Sequence, residues 1–320
     1  MDINRILLKI FNKKKYHIYK NEQLNIKNKN LYDKKIKKNL DEISAALENK
    51  NEISFLHSGH LGDIINSLPL IKEISKSKKC RLFIEINKPL PIHAQDPDHP
   101  FGKYYLSESS VKKILPLLYK QTYIKQVDIF KNENIDVNLN FFREMPINFN
   151  IDSVRWYFHL TGIHGDLNEP YLINVENHEI KEKIVVIRTK RRKNNLINYD
   201  FLRNYKDVLF LGLKNEYNDL KNEIPNLEFF DCKDFLEMAQ IINSSKIFIG
   251  NLSFGFTLAE GLKKPRLLES GPGFPLVYPN GKNAYDFYFQ DHFEKNFKKL
   301  YLKKKKIFLN NLYFWKRYDY

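Results

Sequence analysis

The sequence predicts an α/β protein of two facing, Rossmann-like, doubly wound domains with basic helical extensions at both ends. Three observations carry that expectation. Short β-branched runs alternate with helical repeats twice along the chain, most of the strand runs end in turns rich in Gly, Asn or Ser, and a polar stretch at 169–183 separates the two series. The 320 residues are also 42% hydrophobic, enough for two proper cores and too much for a disordered chain.

The first series occupies 51–168. Ile53 to His57 reads as a strand, ended by Ser58-Gly59-His60-Leu61-Gly62. Ile64, Ile65, Leu68, Leu70, Ile71 and Ile74 then follow a helical repeat, and Arg81 to Ile86 forms the next strand. A strand–helix–strand unit implies parallel pairing through a right-handed crossover. Val111 to Leu118 and Asp152 to Thr161 read as helices, with a strand at Ile124 to Phe130 between them.

The second series occupies 184–292. Lys183 to Arg188 is the clearest strand in the chain, β-branched and bounded by charge. Strands follow at Asp207 to Gly212, Leu227 to Phe230 and Lys246 to Gly250, with Arg266 to Glu269 as the last inner one. Helical repeats cover Phe235 to Asn243 and Thr257 to Leu262. Ligands of doubly wound folds sit outside the carboxyl ends of the strands, so the loops there are where chemistry belongs.

Charge separates the body from its ends. The formal charge is +15, yet residues 1–50 carry +7, residues 293–320 carry +7, and the body between them +1. A uniformly basic nucleic-acid-binding domain has a different distribution, so no nucleic-acid partner is expected. Both ends mix cations with apolar residues: Ile3, Ile6, Leu7, Ile10 and Phe11 beside Arg5, Lys9 and Lys13 to Lys15, and Lys303 to Lys306 before Tyr313, Phe314, Trp315, Tyr318 and Tyr320. That mixture suits an anionic membrane surface, or else solvated helices packed on the body. Cys80 and Cys232 are too few for a disulfide scaffold or a four-cysteine zinc module. No apolar run approaches the ~20 residues of a membrane span. The expectation is a soluble protein of a reducing, cytoplasmic compartment, peripheral at most to the inner face of the membrane.

Three loops hold the candidate site. The first, His57 to Asp63, lacks both GxxxxGK and GxGxxG. Asp63 at its helix start reads either as a cap or as a general base able to take a hydroxyl proton. His57, His60 and Gly62 flank it as acceptor-side candidates. The second, Gly250 to Gly261, runs from a strand end into a small-residue helix start, a geometry that binds anions. It supplies Asn251, Ser253, Gly255, Thr257 and Glu260. The third, Arg188-Thr189-Lys190-Arg191-Arg192-Lys193, could neutralise a diphosphate. Asp96-Pro97-Asp98, with His93 and His99, admits a metal on paper, but the flanking prolines favour a turn, and no metal site is expected.

In this order and spacing the loops resemble the heptosyltransferase-like glycosyltransferases of family 9, which have the GT-B fold, over roughly residues 51–290. Gly62-Asp63 through Leu68-Pro69 matches the first signature, whose Asp is the proposed catalytic base. Gly212 and Glu216 match a strand-end Gly with a Glu that contacts the donor ribose, and Arg188, Thr189 and Lys190 to Lys193 match the basic, hydroxyl-bearing loop. The donor-phosphate loop Asp-x-Gly-x-x-His here reads Asn251-Leu252-Ser253-Phe254-Gly255-Phe256, with all three marked positions changed. The resemblance implies an inverting, metal-independent glycosyltransferase without a cofactor. It would move a sugar from a nucleotide-diphosphate donor to a saccharide or glycolipid acceptor in bacterial cell-surface polysaccharide or lipopolysaccharide synthesis. The altered loop keeps a non-catalytic nucleotide-sugar-binding protein as the alternative, ahead of a nucleic-acid-binding protein or a kinase-type enzyme.

Overall fold

A computed structural model describes residues 3–92, 102–147, 149–271 and 276–315, with side chains described from 5 to 303 of these. The chain opens with α1 (Ile3–Phe11), α2 (Lys13–Leu31), one π turn (Tyr32–Ile36) and α3 (Lys37–Asn49). The first sheet comprises β1 (Glu52–His57), β2 (Lys79–Ile84), β3 (Gln126–Ile129) and β4 (Val137–Asn138), in the order β3-β2-β1-β4. The helices α4 (Leu61–Ser75), α5 (Glu108–Tyr119) and α6 (Val154–Thr161) accompany it.

The second sheet comprises β5 (Ile184–Ile187), β6 (Val208–Leu211), β7 (Glu228–Phe230), β8 (Ile247–Asn251), β9 (Arg266–Glu269) and β10 (Ala284–Phe287), in the order β10-β9-β8-β5-β6-β7. Its helices are α7 (Lys214–Glu223), α8 (Phe235–Ser244), α9 (Phe254–Gly261) and α10 (Gln290–Trp315). Every strand pairing within the two sheets is parallel. The chain is therefore an α/β protein with two doubly wound sheets, as the alternating pattern predicts.

Strand alternation divides the core. Val185 and Ile187 of β5 belong to a cluster shared with the first sheet's helices, whereas Ile184 and Val186 face a second cluster closed by Leu220 of α7 and by Phe293, Phe297 and Leu300 of α10. The C-terminal segment accordingly begins as a packed helix. Seven Leu and Ile side chains of α4 are buried, each worth about 1.5–3 kcal/mol relative to exposure. That burial locks the start of α4 against the facing domain: a side chain on Gly62 would touch Thr257 of α9 at 3.6 Å.

The polar segment 169–183 contains no helix or strand, but it is not loose. Tyr171 and Leu172 are buried, and both backbone amides donate to the carbonyl of Gly261. The segment is tied to the end of α9 by main chain and by side chain. No helix among the described residues is long and apolar enough to cross a membrane.

Candidate functional site

The turn after β1 is built around Asp63, the third residue of α4. Its Oδ2 accepts the His60 amide at 3.2 Å, and Arg143 Nη2 lies 3.3 Å from the same oxygen. Oδ1 has no hydrogen-bond partner among the described residues, and the side chain keeps a fifth of its surface exposed. The cap and the candidate base are thus one carboxylate, with one oxygen for each task. Gly59 is required beside it, because a Cβ there would stand 2.7 Å from the His57 ring and 2.8 Å from Asp63 Oδ2.

Arg143 escaped the sequence reading. A short 3-10 turn, Leu139–Glu144, follows the two-residue strand β4 and delivers the guanidinium to Asp63. It stacks over the rings of Phe142 at 4.4 Å and Tyr105 at 4.9 Å. Nη1 donates to Asn140 Oδ1 at 3.1 Å, an oxygen that also accepts the Ser58 amide at 2.9 Å. The cation therefore joins the strand-end turn to the carboxylate. The only signal in the sequence is a lone cation within Asn-Leu-Asn-Phe-Phe-Arg.

His57, expected on the acceptor side, is an interior strut. Nδ1 accepts the Gly59 amide at 2.9 Å, so Nε2 carries the proton and donates to Tyr157 Oη at 2.9 Å. The Tyr157 hydroxyl in turn donates to the Asp63 carbonyl at 2.9 Å. Complete burial, and after it the Arg143 charge, hold the His57 pKa well below the ordinary histidine value. His60 stays at the rim, its Nδ1 donating to the Tyr105 carbonyl at 3.1 Å. Burial lowers its pKa also, and the Asp63 charge opposes the shift. Gly62 faces Thr257 of the second domain.

The facing turn after β8 has most of its polar groups engaged internally. Asn251 is fully buried, where Oδ1 accepts the Thr189 amide at 2.9 Å and Nδ2 donates to the Thr189 carbonyl at 2.7 Å. An aspartate could not make the second bond. Ser253 caps α9 in position but gives its hydroxyl to the Asn251 carbonyl at 3.1 Å. Thr257 is buried and donates to the Phe254 carbonyl at 2.7 Å. Gly255 lets α9 close on β5, since any Cβ would collide with Ile187. Phe256, where the family motif has His, packs in the core near Phe248. Glu260 is buried and ion-paired with Arg266 and Lys263. Glu260, Thr257 and Asn251, read from the sequence as donor ligands, are fastenings of this turn, because their polar atoms are already paired.

Arg188 needs the same correction. It is buried, donates from Nε to Glu269 at 2.7 Å and from Nη2 to the Ile197 carbonyl at 2.8 Å, and stacks over Tyr199 at 4.4 Å. Its charge is neutralised within the second domain. Thr189 is half-buried, while Lys190 and Arg191 emerge on an exposed 3-10 turn. Glu216 Oε1 accepts the Lys190 amide at 3.3 Å, beside Gly212, whose φ of +135° is open to glycine. Burial raises the Glu216 pKa, while hydrogen bonds from the Lys190 and Leu213 amides and the Arg191 charge pull against it. After burial, the Arg143 charge and then the Arg191 charge also lower the His60 pKa. The structure groups Asp63, His60 and Arg143 in the first domain and Lys190, Glu216 and Gly212 in the second, where the Lys190 ammonium pairs with Asp219 at 2.8 Å. Among the described residues no three His, Cys, Asp or Glu side chains cluster to hold a metal. Asp96, Asp98, His93 and His99 lie outside the described residues.

No protein-family model and no curated protein matches the sequence. Solved structures do match the fold. Escherichia coli heptosyltransferase WaaC with ADP aligns over 78% of this chain and 99% of that one, at 10% identity and a TM-score of 0.52. The same enzyme with ADP-2-deoxy-2-fluoro heptose aligns over 74% and 92%, at 10% identity and a TM-score of 0.48. A family 9 glycosyl transferase from Veillonella parvula aligns over 78% and 89%, at 11% identity and a TM-score of 0.46. At such identities the likeness is one of fold, and the two-domain architecture is that of the heptosyltransferase.

Proposed function

We propose that the chain is an inverting glycosyltransferase that moves a sugar from a nucleotide-diphosphate donor to a hydroxyl of a saccharide or glycolipid in cell-surface polysaccharide or lipopolysaccharide synthesis. The observation that carries the reading is Asp63, whose Oδ1 has no partner among the described residues, at a helix start that meets the donor-side helix α9. The domain of 51–168 binds the acceptor and that of 184–292 the donor. Asp63 takes the proton of the acceptor hydroxyl, and the oxygen attacks the anomeric carbon on the face opposite the nucleotide. The bond from that carbon to the diphosphate oxygen breaks, and the nucleoside diphosphate leaves with its electron pair. Lys190, Arg191 and the amides at the start of α9 stabilise the departing charge, a role that elsewhere falls to a metal. Glu216 and Gly212 receive the donor ribose. Neither a metal nor a cofactor takes part, and the basic ends bring the enzyme to an anionic membrane surface on the cytoplasmic face.

The reading draws support from the ADP in the matching heptosyltransferase, although the donor base here is not tied to adenine. A second reading, a nucleotide-sugar-binding protein without transfer activity, is favoured by the structural use of Asn251 and the burial of Phe256. Melting the protein with ADP, GDP, UDP and CDP and their sugars identifies the donor, since a ligand at 100 times its Kd adds about 2.7 kcal/mol. With that donor and an acceptor panel, transfer by the wild type that is lost in Asp63→Asn supports the enzyme. Binding without transfer supports the second reading.

A further inference from the structure

The N-terminal helices are built unlike the rest of the molecule. Along α2 not one residue is buried, and at about 1.5 Å per residue its 19 residues extend for about 28 Å. Below it, Ile36 of the π turn and Ile43 of α3 are buried and pack into the first domain's core cluster, so the base of this arm is fixed. Above it, the helix is interrupted at Asn12, whose backbone leaves the helical region (φ −150°, ψ 84°) and whose side chain caps α2 by accepting the Lys15 amide at 3.0 Å.

The α1 helix keeps its apolar side in water. Ile6, Leu7, Ile10 and Phe11 recur at helical spacing and are 38%, 47%, 66% and 79% exposed. Ile18, Leu24 and Ile26 of α2 are each more than half exposed as well. Around them stand Arg5, Lys9, Lys13, Lys14 and Lys15, and residues 1–31 hold eight Lys and Arg against two Asp and Glu. An apolar helix face ringed by cations on an arm fixed at its base matches the charge and polarity of a lipid–water interface. A second copy of the chain would bring two such cationic rings together, which disfavours self-association through this face. A nucleic acid would match the cations but leave the aliphatic side chains without a partner.

We infer that α1 and the first turns of α2 form a docking element for an anionic bilayer, with Ile6, Leu7, Ile10 and Phe11 entering the headgroup–acyl boundary and Lys13 to Lys15 meeting anionic headgroups. The element is argued independently of the transfer reaction, because it assigns no role to any residue of the Asp63 cleft. It goes beyond the general attraction of two basic ends by assigning the contact to one face of one helix.

The test is sedimentation of the full chain with phosphatidylcholine vesicles, with and without phosphatidylglycerol, alongside a nucleotide-binding measurement. Binding to the anionic vesicles and release by salt are expected. Each lysine near an anionic surface contributes about fivefold, so Lys13→Glu/Lys14→Glu/Lys15→Glu weakens vesicle binding on the order of a hundredfold or more. Ile10→Asp/Phe11→Asp weakens it at least about tenfold while leaving the net cation count of α2 intact. Nucleotide binding stays unchanged in both variants, which separates failure of docking from failure of the transferase reading. Wild-type protein that ignores anionic vesicles, or variants that bind them as tightly as wild type, would overturn the inference. So would loss of a solution dimer in Ile10→Asp/Phe11→Asp without any change in vesicle binding.

Discussion

The turn after β1 and the turn after β8 both lie at the carboxyl ends of parallel strands and meet where Gly62 faces Thr257, yet they treat their polar residues in opposite ways. In the first, buried His57, Tyr157 and Asn140 hold the backbone and leave a carboxylate oxygen of Asp63 open. In the second, Asn251, Thr257 and Glu260 are themselves buried and paired, and what remains for a ligand is main-chain amide at the helix start. On the proposed function, the turn that moves a proton keeps an exposed acid. The turn proposed to hold anionic oxygens can do so with backbone, and its side chains are then at liberty to become structural.

The sharpest break in that comparison is Asp63→Asn, which preserves shape and removes the base. Transfer should fall about 10³-fold, at the cost of little nucleotide affinity. Next in size is the contrast within the basic loop. Arg188→Ala leaves Glu269 buried without its cation and should cost about 3 kcal/mol or more of stability by chemical denaturation. Arg191→Ala, at an exposed position, should leave the denaturation midpoint within about 0.5 kcal/mol and weaken nucleotide-diphosphate binding instead. If the two variants exchanged these phenotypes, the assignment of inward and outward cations would be wrong.

A smaller effect is expected from Arg143→Lys. It keeps a charge but loses the fork that joins Asn140 Oδ1 to Asp63 Oδ2, so kcat should drop about tenfold with nucleotide affinity unchanged. His57 gives a signature in pH. Its folded pKa lies below the unfolded value, so the unfolded chain binds the extra proton first. Stability should be fully present above about pH 6.5 and should decline below it by up to about 1.4 kcal/mol per pH unit. His57→Gln should flatten that decline in melting curves. The mildest change is Asn251→Asp, which installs the aspartate of the family 9 motif but loses the donor to the Thr189 carbonyl. A cost of about 1–2 kcal/mol in melting experiments is expected.

What could be read in advance follows the range of each interaction. The alternation of Ile184, Val185, Val186 and Ile187 between two cores is local and needs only the sequence. Gly-Asp at a strand end likewise announces Asp63. Arg143 reaches that carboxylate from 80 residues away, and Arg188 meets Glu269 from 81 residues away, so neither partner is visible in a local pattern. A basic run of five cations therefore read as one ligand site, although its first member points into the core. The strand β10, Ala-Tyr-Asp-Phe on the sheet edge, has too little periodicity to be recognised, and β4 is only two residues long.

The two domains are proposed to divide the work, with proton transfer on the turn after β1 and diphosphate binding on the start of α9 together with the loop after β5, which Asn251 ties to it through Thr189. Calorimetric titration of the preferred nucleotide diphosphate into Asp63→Asn and into Lys190→Ala/Arg191→Ala tests this division directly. Wild-type affinity is expected in the first variant and a loss of at least about tenfold in the second. Weakened binding in Asp63→Asn with wild-type affinity in Lys190→Ala/Arg191→Ala would contradict it.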